Sequence, residues 1–228
     1  REPLKSIEVY LGNNIAPGSF AWVVPVNSTR ARIGLSTKKD SMKYLSNLIS
    51  NTPLSDKIKD KKPILRKRIV PISPIDRTYF DRLLVVGDSA GQVKPITGGG
   101  IFYGLLCASA ASETIISAFK KKDFRSRCMR GYETKWKKLI GLELKAGSFV
   151  RKFMGSLNDD NMEGLVATFK KDQKIKNILQ KSHAFDWHKD VIMHLLKTPS
   201  LSGRIYQKLL WNIFNKNGFE KSEDVWYS

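Results

Sequence analysis

One stretch constrains this chain more than any other: Leu83-Leu84-Val85-Val86-Gly87-Asp88-Ser89-Ala90-Gly91, followed a few residues later by Gly98-Gly99-Gly100-Ile101. Four consecutive apolar residues read as a short strand buried on both faces. Gly87 lets the backbone turn and come close to a ligand, and Asp88 at the strand's carboxyl end can accept hydrogen bonds from sugar-like hydroxyls. The glycine triplet then opens an apolar helix predicted over 101–119. Its first N–H groups have no intrahelical acceptor, and the helix dipole there favours negative charge. Gly104, Ala108 and Ala111 fall on one stripe of that helix, so its backbone can approach a neighbour closely. Together these are the parts for holding an anionic, polyhydroxylated cofactor.

Upstream, apolar residues alternate with period two. Ile7, Val9 and Leu11 share one side of a strand, Phe20, Trp22, Val24 and Val26 one side of a second, and Ile33 and Leu35 one side of a third. Gly12-Asn13-Asn14 with Pro17-Gly18, then Asn27-Ser28-Thr29, supply the turns between them, so an antiparallel meander is predicted. Asp40 or Ser41 caps a helix bearing Met42, Leu45, Leu48 and Ile49, which Pro53 ends. Residues 64–72 read as a further strand. Beyond Phe119 the pattern is helical, with amphipathic stretches at 132–154, 162–170, 175–180, 187–196 and 201–214.

Charge narrows the partners. Forty Lys and Arg against 21 Asp and Glu leave a net +19 over 228 residues. The surplus is concentrated: residues 57–68 hold seven cations and one acid, and residues 119–152 hold twelve cations and three acids. Like charges so crowded favour an anionic partner: nucleic acid, an anionic membrane or an acidic substrate. The nucleic-acid reading lacks interleaved aromatics, a recognition-helix motif or an RNP signature, and it leaves the Gly-Asp and triple-glycine element without a role. Two cysteines 21 residues apart, with no CxxC, make neither a disulfide framework nor a zinc site. Cys107 is expected to pack rather than react. His183, His188 and His194 do not share a helix face, so no metal site is expected. The longest uncharged run, 95–112, spends Pro95 and three glycines before its helix can start, which leaves too little for a transmembrane span.

At the Gly-Asp segment the chain resembles a known family. Gly87-Asp88-Ser89-Ala90-Gly91-Gln92-Val93-Lys94-Pro95-Ile96-Thr97-Gly98-Gly99-Gly100-Ile101 resembles the second FAD-binding motif of the p-hydroxybenzoate-hydroxylase-like flavoproteins, and within them that of the geranylgeranyl reductases. Pro17-Gly18-Ser19-Phe20-Ala21-Trp22-Val23-Val24-Pro25 is similar to that family's PxxYxWxFP substrate-site signature. Pro17, Trp22 and Pro25 match, Phe20 stands for Tyr and Val24 for Phe. The resemblance is strongest over 7–119.

The resemblance implies an α+β or α/β fold: an antiparallel substrate-site sheet with one helix over 1–75, the second half of an FAD-binding domain over 76–119, and a helical C-terminal region over 120–228. It implies FAD as cofactor, with Gly87, Asp88, Pro95, Gly98, Gly99, Gly100 and Ile101 at the cofactor and Phe20, Trp22 and Pro25 at the substrate. The implied activity is reduction of C=C bonds in geranylgeranyl chains for archaeal-type membrane lipids, with an external electron donor. The alternative is another flavoprotein of the same superfamily, an aromatic monooxygenase or a quinone-linked dehydrogenase; a basic nucleic-acid or anionic-surface binding module is a minor one. Such flavoproteins open on a GxGxxG segment, which does not occur in these residues, and the chain starts at Arg1. A C-terminal fragment, inactive by itself, is therefore expected, and no catalytic acid or base is assigned. Its expected place is the cytoplasm, peripheral at an anionic membrane that holds the polyprenyl lipid, with 119–152 as the contact through residues such as Trp136, Leu139 and Phe149.

Overall fold

The computed structural model describes residues 6–59, 64–173, 176–177, 187, 192 and 226–227. The chain divides into two compact units, Arg1–Ile69 with Arg151–Val166 and Trp226–Ser228, and Val70–Val150 with Ala167–Val225.

The first unit is built on the predicted meander. Strands β1 (Glu8–Tyr10), β2 (Ala21–Pro25) and β3 (Ala31–Leu35) pair antiparallel in the order β1-β2-β3. Three cross-strand rows follow from the register: Glu8–Val23–Ile33, Val9–Trp22–Gly34 and Tyr10–Ala21–Leu35. Ala21 and Val23 are fully buried with Leu48 of helix α1 (Ser41–Ser50), and Tyr10, Ile33 and Leu35 pack around them. The row that holds Trp22 therefore faces away from this core, and Val9 in it is 58% exposed. The β1–β2 turn is tied to helix α4 (Asp159–Lys171), since the N–H and the side-chain amide of Asn13 both donate to Asp159 Oδ1, at 2.8 and 2.9 Å.

The strand expected over 64–72 shrinks to β4 (Val70–Pro71). Arg66, Lys67 and Arg68 interrupt the alternation with three cations in a row, so no apolar face forms, and Ile64 and Ile69 are exposed.

The second unit, which begins at β4, continues with the hairpin β5 (Tyr79–Phe80) and β6 (Leu83–Leu84), which turns through Arg82 at φ 59°. The apolar run was expected to be buried on both faces. A two-stranded hairpin cannot cover both, and Leu83 is exposed. Helices α2 (Ile101–Lys121) and α3 (Ser126–Met154) share a core in which Tyr103, Cys107 and Ala110 meet Tyr132, Trp136 and Ile140. Helix α3 starts six residues before the amphipathic pattern does, because the carboxylate of Asp81 accepts the Ser126 N–H at 2.6 Å and caps the helix from a distant part of the chain.

Helix α2 also runs longer than expected, and by length and composition it could cross a membrane, contrary to the sequence-based exclusion. One stripe, Tyr103, Cys107, Ala110, Ala111, Thr114 and Ala118, is buried, whereas Ile101, Leu105, Ile115, Ile116 and Phe119 are exposed. Nearly all of the helices predicted at 175–180, 187–196 and 201–214, and all three histidines, lie outside the described residues.

Candidate functional site

The Gly-Asp turn is held by hydrogen bonds that start several residues away. Val86 is extended, Gly87 turns the chain at φ 71°, and residues Gly87–Ala90 form one tight helical turn that Gly91 ends at φ 67°. Both glycines sit in the left-handed region, where a side chain costs roughly 1–2 kcal/mol. A Cβ on Gly91 would run into the carbonyl of Ser73, whereas one on Gly87 would meet nothing within 4 Å. Space beside Gly87 is open to an approaching group.

Behind the turn lies a relay of side chains. The Gly87 N–H donates to Oε1 of Gln92 at 2.8 Å, Nε2 of Gln92 donates to the Tyr132 hydroxyl at 2.8 Å, and that hydroxyl donates to the Val85 carbonyl at 2.8 Å. Gln92 and Tyr132 are fully buried, and burial pushes the Tyr132 phenol up to about 12, so it stays a neutral donor. One step further back, the Val85 N–H donates to the carbonyl of Thr78. Thr78 in turn donates through its N–H and hydroxyl to Glu133 Oε2 at 2.9 and 3.1 Å, and its hydroxyl accepts the Trp136 indole N–H at 2.9 Å. Burial works to raise the Glu133 carboxyl, but the Lys137 ammonium and the Thr78 bonds outweigh it and hold the group below its usual value. Tyr132, Glu133 and Trp136 of α3 thus fix both ends of the segment that carries the turn.

The seven predicted cofactor residues gather at the entrance to α2. The loop 94–99 closes on itself, with the Lys94 N–H bonded to the Gly99 carbonyl and the Gly98 N–H to the Lys94 carbonyl. Gly98 takes φ 73°. Gly100 is the residue before the first helical turn, and a Cβ there would collide with the carboxylate of Asp88 and with Val93. The Asp88 carbonyl accepts the Gly91 N–H at 2.9 Å, but its carboxylate is exposed and makes no hydrogen bond or ion pair among the described residues. The N–H groups of Gly100, Ile101 and Phe102 carry no acceptor among them either. Pro95 is buried against Gly147 of α3, where a Cβ would come within 2.9 Å of its ring, and Ile101 is 85% exposed. The arrangement offers one carboxylate acceptor beside several backbone donors, with an open approach at Gly87.

In the first unit, Phe20 and Trp22 lie on the outward face of the sheet, their rings 5.6 Å apart and tilted by 53°. Pro25 closes β2. Trp136, expected at a membrane contact, is instead 1% exposed and belongs to the core of the second unit, where no membrane can reach it. Cys107 is buried and pushed up to about 12 by desolvation, which makes it packing, as expected. The relay through Gln92 and Tyr132 was not read from the sequence. Its signal, a polar Gln between Gly91 and Val93 and a Tyr on the apolar stripe of α3, is weak without the fold.

No protein-family model matches the chain. It is 38% identical over 164 residues to the digeranylgeranylglycerophospholipid reductase of Methanocaldococcus jannaschii, which covers 70% of this chain and 42% of that protein. It is 34% identical over 163 residues to digeranylgeranylglycerophospholipid reductase 2 of Methanothermobacter thermautotrophicus, covering 71% and 42%. Among solved structures, a geranylgeranyl bacteriochlorophyll reductase-like protein of Thermoplasma acidophilum superposes with a TM-score of 0.67 at 22% identity, covering 89% of this chain and 50% of that one. The last likeness bears out the mixed fold with small antiparallel sheets, and the first two bear out the family resemblance. The chain spans less than half the length of these two curated relatives.

Proposed function

We propose that this chain, a homologue of the archaeal digeranylgeranylglycerophospholipid reductases, contributes one side of an FAD site and a prenyl-contact wall to an enzyme that saturates C=C bonds in the geranylgeranyl chains of membrane lipids. The observation that carries this reading is Asp88, an exposed carboxylate without a partner among the described residues, set against a glycine whose side chain would displace it. The residues present fit such a cofactor. The carboxylate suits the ribityl hydroxyls, and the N–H groups of Gly100 and Ile101 at the positive end of α2 suit an electron-rich ring edge.

When bound and reduced, FAD would supply a hydride to one carbon of an isolated, unpolarised alkene, with a proton taken up from water at the other. The chain's own residues bind the cofactor and shape the substrate surface. Asp88 accepts hydrogen bonds from the cofactor's hydroxyls, while Gly98, Gly99 and Gly100 keep the α2 entrance bare so that backbone can face it. Pro95 anchors that loop on α3, and Ile101 gives the entrance an apolar rim. Phe20 and Trp22 give the isoprenoid an apolar surface that excludes water, and Pro25 ends the strand that carries them. The electrons come from an external donor.

The lipid lies in a bilayer, so the enzyme meets it at the membrane surface, peripherally and on the cytoplasmic side. Lys120, Lys121, Lys122, Arg130, Lys138 and Lys145 are exposed and make no ion pair among the described residues, which suits them to an anionic leaflet. Arg125, Arg127, Lys135 and Lys137 are paired with acids and are less suited.

A chimera tests the reading. The matching segment of the Methanocaldococcus jannaschii reductase is replaced by this chain, and the product is assayed with FAD, dithionite and digeranylgeranyl phospholipid. The expected result is a flavin-loaded protein whose lipid product gains two hydrogens per double bond in mass spectra. A folded chimera that leaves the lipid unchanged would exclude the function.

A further inference from the structure

Gly34 stands in β3 directly opposite Trp22. Its backbone does not require glycine, since its φ lies outside the left-handed region and it pairs as ordinary strand. Its surroundings do require it. A Cβ built there would lie 2.5 Å from Cζ2, 2.7 Å from Cε2 and 3.1 Å from Nε1 of Trp22. Side chains on a strand usually stand away from the sheet, yet this indole leans across and rests on the backbone of β3. Glycine inside a strand marks such a close approach.

The lean has a consequence on the other side of β2. Val9 is the β1 member of the same row and is 58% exposed, and Ile7 on the same face is 63% exposed. With the indole turned toward Gly34, an apolar strip along Ile7, Val9 and the rings of Phe20 and Trp22 stays open. A side chain at position 34 would push the indole off β3, and the room available to it lies toward Val9.

We propose that Gly34 is a positioning residue for prenyl recognition: it holds Trp22 against β3 so that the strip beside Val9 can receive an isoprenoid chain. The proposal rests on the reading of this face as a prenyl-contact wall. Gly34 touches no substrate. It sets where Trp22 can stand, and through Trp22 it sets the width of the strip.

The test uses the whole chain and geranylgeraniol as probe, with three variants: Gly34→Ala, Trp22→Phe and the two combined. The wild-type chain is expected to bind geranylgeraniol and to show nuclear Overhauser contacts from the probe to the Trp22 ring and the Val9 methyls. Gly34→Ala should move the Trp22 indole N–H resonance and weaken binding by about tenfold, the usual effect of one misplaced methyl in an apolar site. Phenylalanine at position 22 lacks the Nε1 and Cζ2 atoms that lie over Gly34, so adding Gly34→Ala to Trp22→Phe should change affinity by less than about twofold. A general loss of sheet stability would act equally in both backgrounds. Equal losses, or a Gly34→Ala chain that binds like the wild type, overturn the proposal. Should Gly34→Ala not fold, the wild-type contacts decide, and their absence from either Trp22 or Val9 overturns it. No binding by the wild-type chain removes the prenyl reading itself, and this role with it.

Discussion

The carboxylate of Asp88 occupies the space into which a side chain on Gly100 would project. The Gly-Asp turn and the helix entrance, whose Asp88 and Gly100 are twelve residues apart in sequence, are thereby one site: the glycine before α2 leaves room for the acid of the turn that follows β6. Gly100 has φ −110°, so alanine fits its backbone without strain. In the chimera, Gly100→Ala should displace Asp88 and lower FAD affinity while leaving the thermal midpoint within a few degrees. Unchanged affinity measured by flavin fluorescence titration would separate the two residues functionally.

The relay behind the turn predicts a stability cost. Tyr132→Phe removes the hydroxyl that serves Gln92 and the Val85 carbonyl, and leaves buried polar groups unpaired. Each such group costs about 1–3 kcal/mol. Urea unfolding should show a loss in that range, and hydrogen exchange at the Gly87 amide should quicken. A protein as stable as the parent would mean that water replaces the hydroxyl.

Glu133 predicts an acid limb. Its folded value lies below that of an ordinary glutamate, so its stabilising contribution is complete above the ordinary value and is lost as pH falls through the folded value. Glu133→Gln should flatten the fall in stability below that point, and should cost stability at neutral pH because the Thr78 and Lys137 bonds weaken. Melting curves from pH 3 to pH 7 check both limbs. A parallel pH profile in the variant would assign the acid sensitivity elsewhere.

Membrane attachment, if it follows the exposed cations, depends on charge and not on Trp136. Replacing Lys120, Lys121 and Lys122 by Glu should weaken flotation with anionic vesicles by about 1 kcal/mol or more per site, an effect that fades as salt rises. Trp136→Phe keeps most of the buried ring, and should alter stability but not vesicle binding. Flotation unaffected by the charge reversals would remove this surface from the account.

Much of this was legible in the sequence, for physical reasons that can be named. Turn chemistry at Gly12-Asn13-Asn14 and Asn27-Ser28-Thr29 announces the meander, and the Gly-Asp and triple-glycine spacing announces the α2 entrance. Which side of β2 is buried was not legible, because AWVVP is apolar at every position and only packing under α1 distinguishes Ala21 from Trp22. The early start of α3 was hidden because its cap, Asp81, lies 45 residues away. Trp136 misled because amphipathic periodicity marks a face without saying what covers it. The relay from Gly87 to Tyr132 depends on a bond between Gln92 and Tyr132, 40 residues apart, and periodicity carries no trace of such a bond.

The most direct measurement is FAD titration of the chimera with and without Asp88→Ala, followed by flavin fluorescence and checked by circular dichroism for an intact fold. A hydrogen bond to a charged acceptor contributes about 1.5–3 kcal/mol, so the account predicts that Asp88→Ala weakens FAD binding by roughly 10- to 150-fold in a folded protein. Equal affinity of the two proteins for FAD would contradict it.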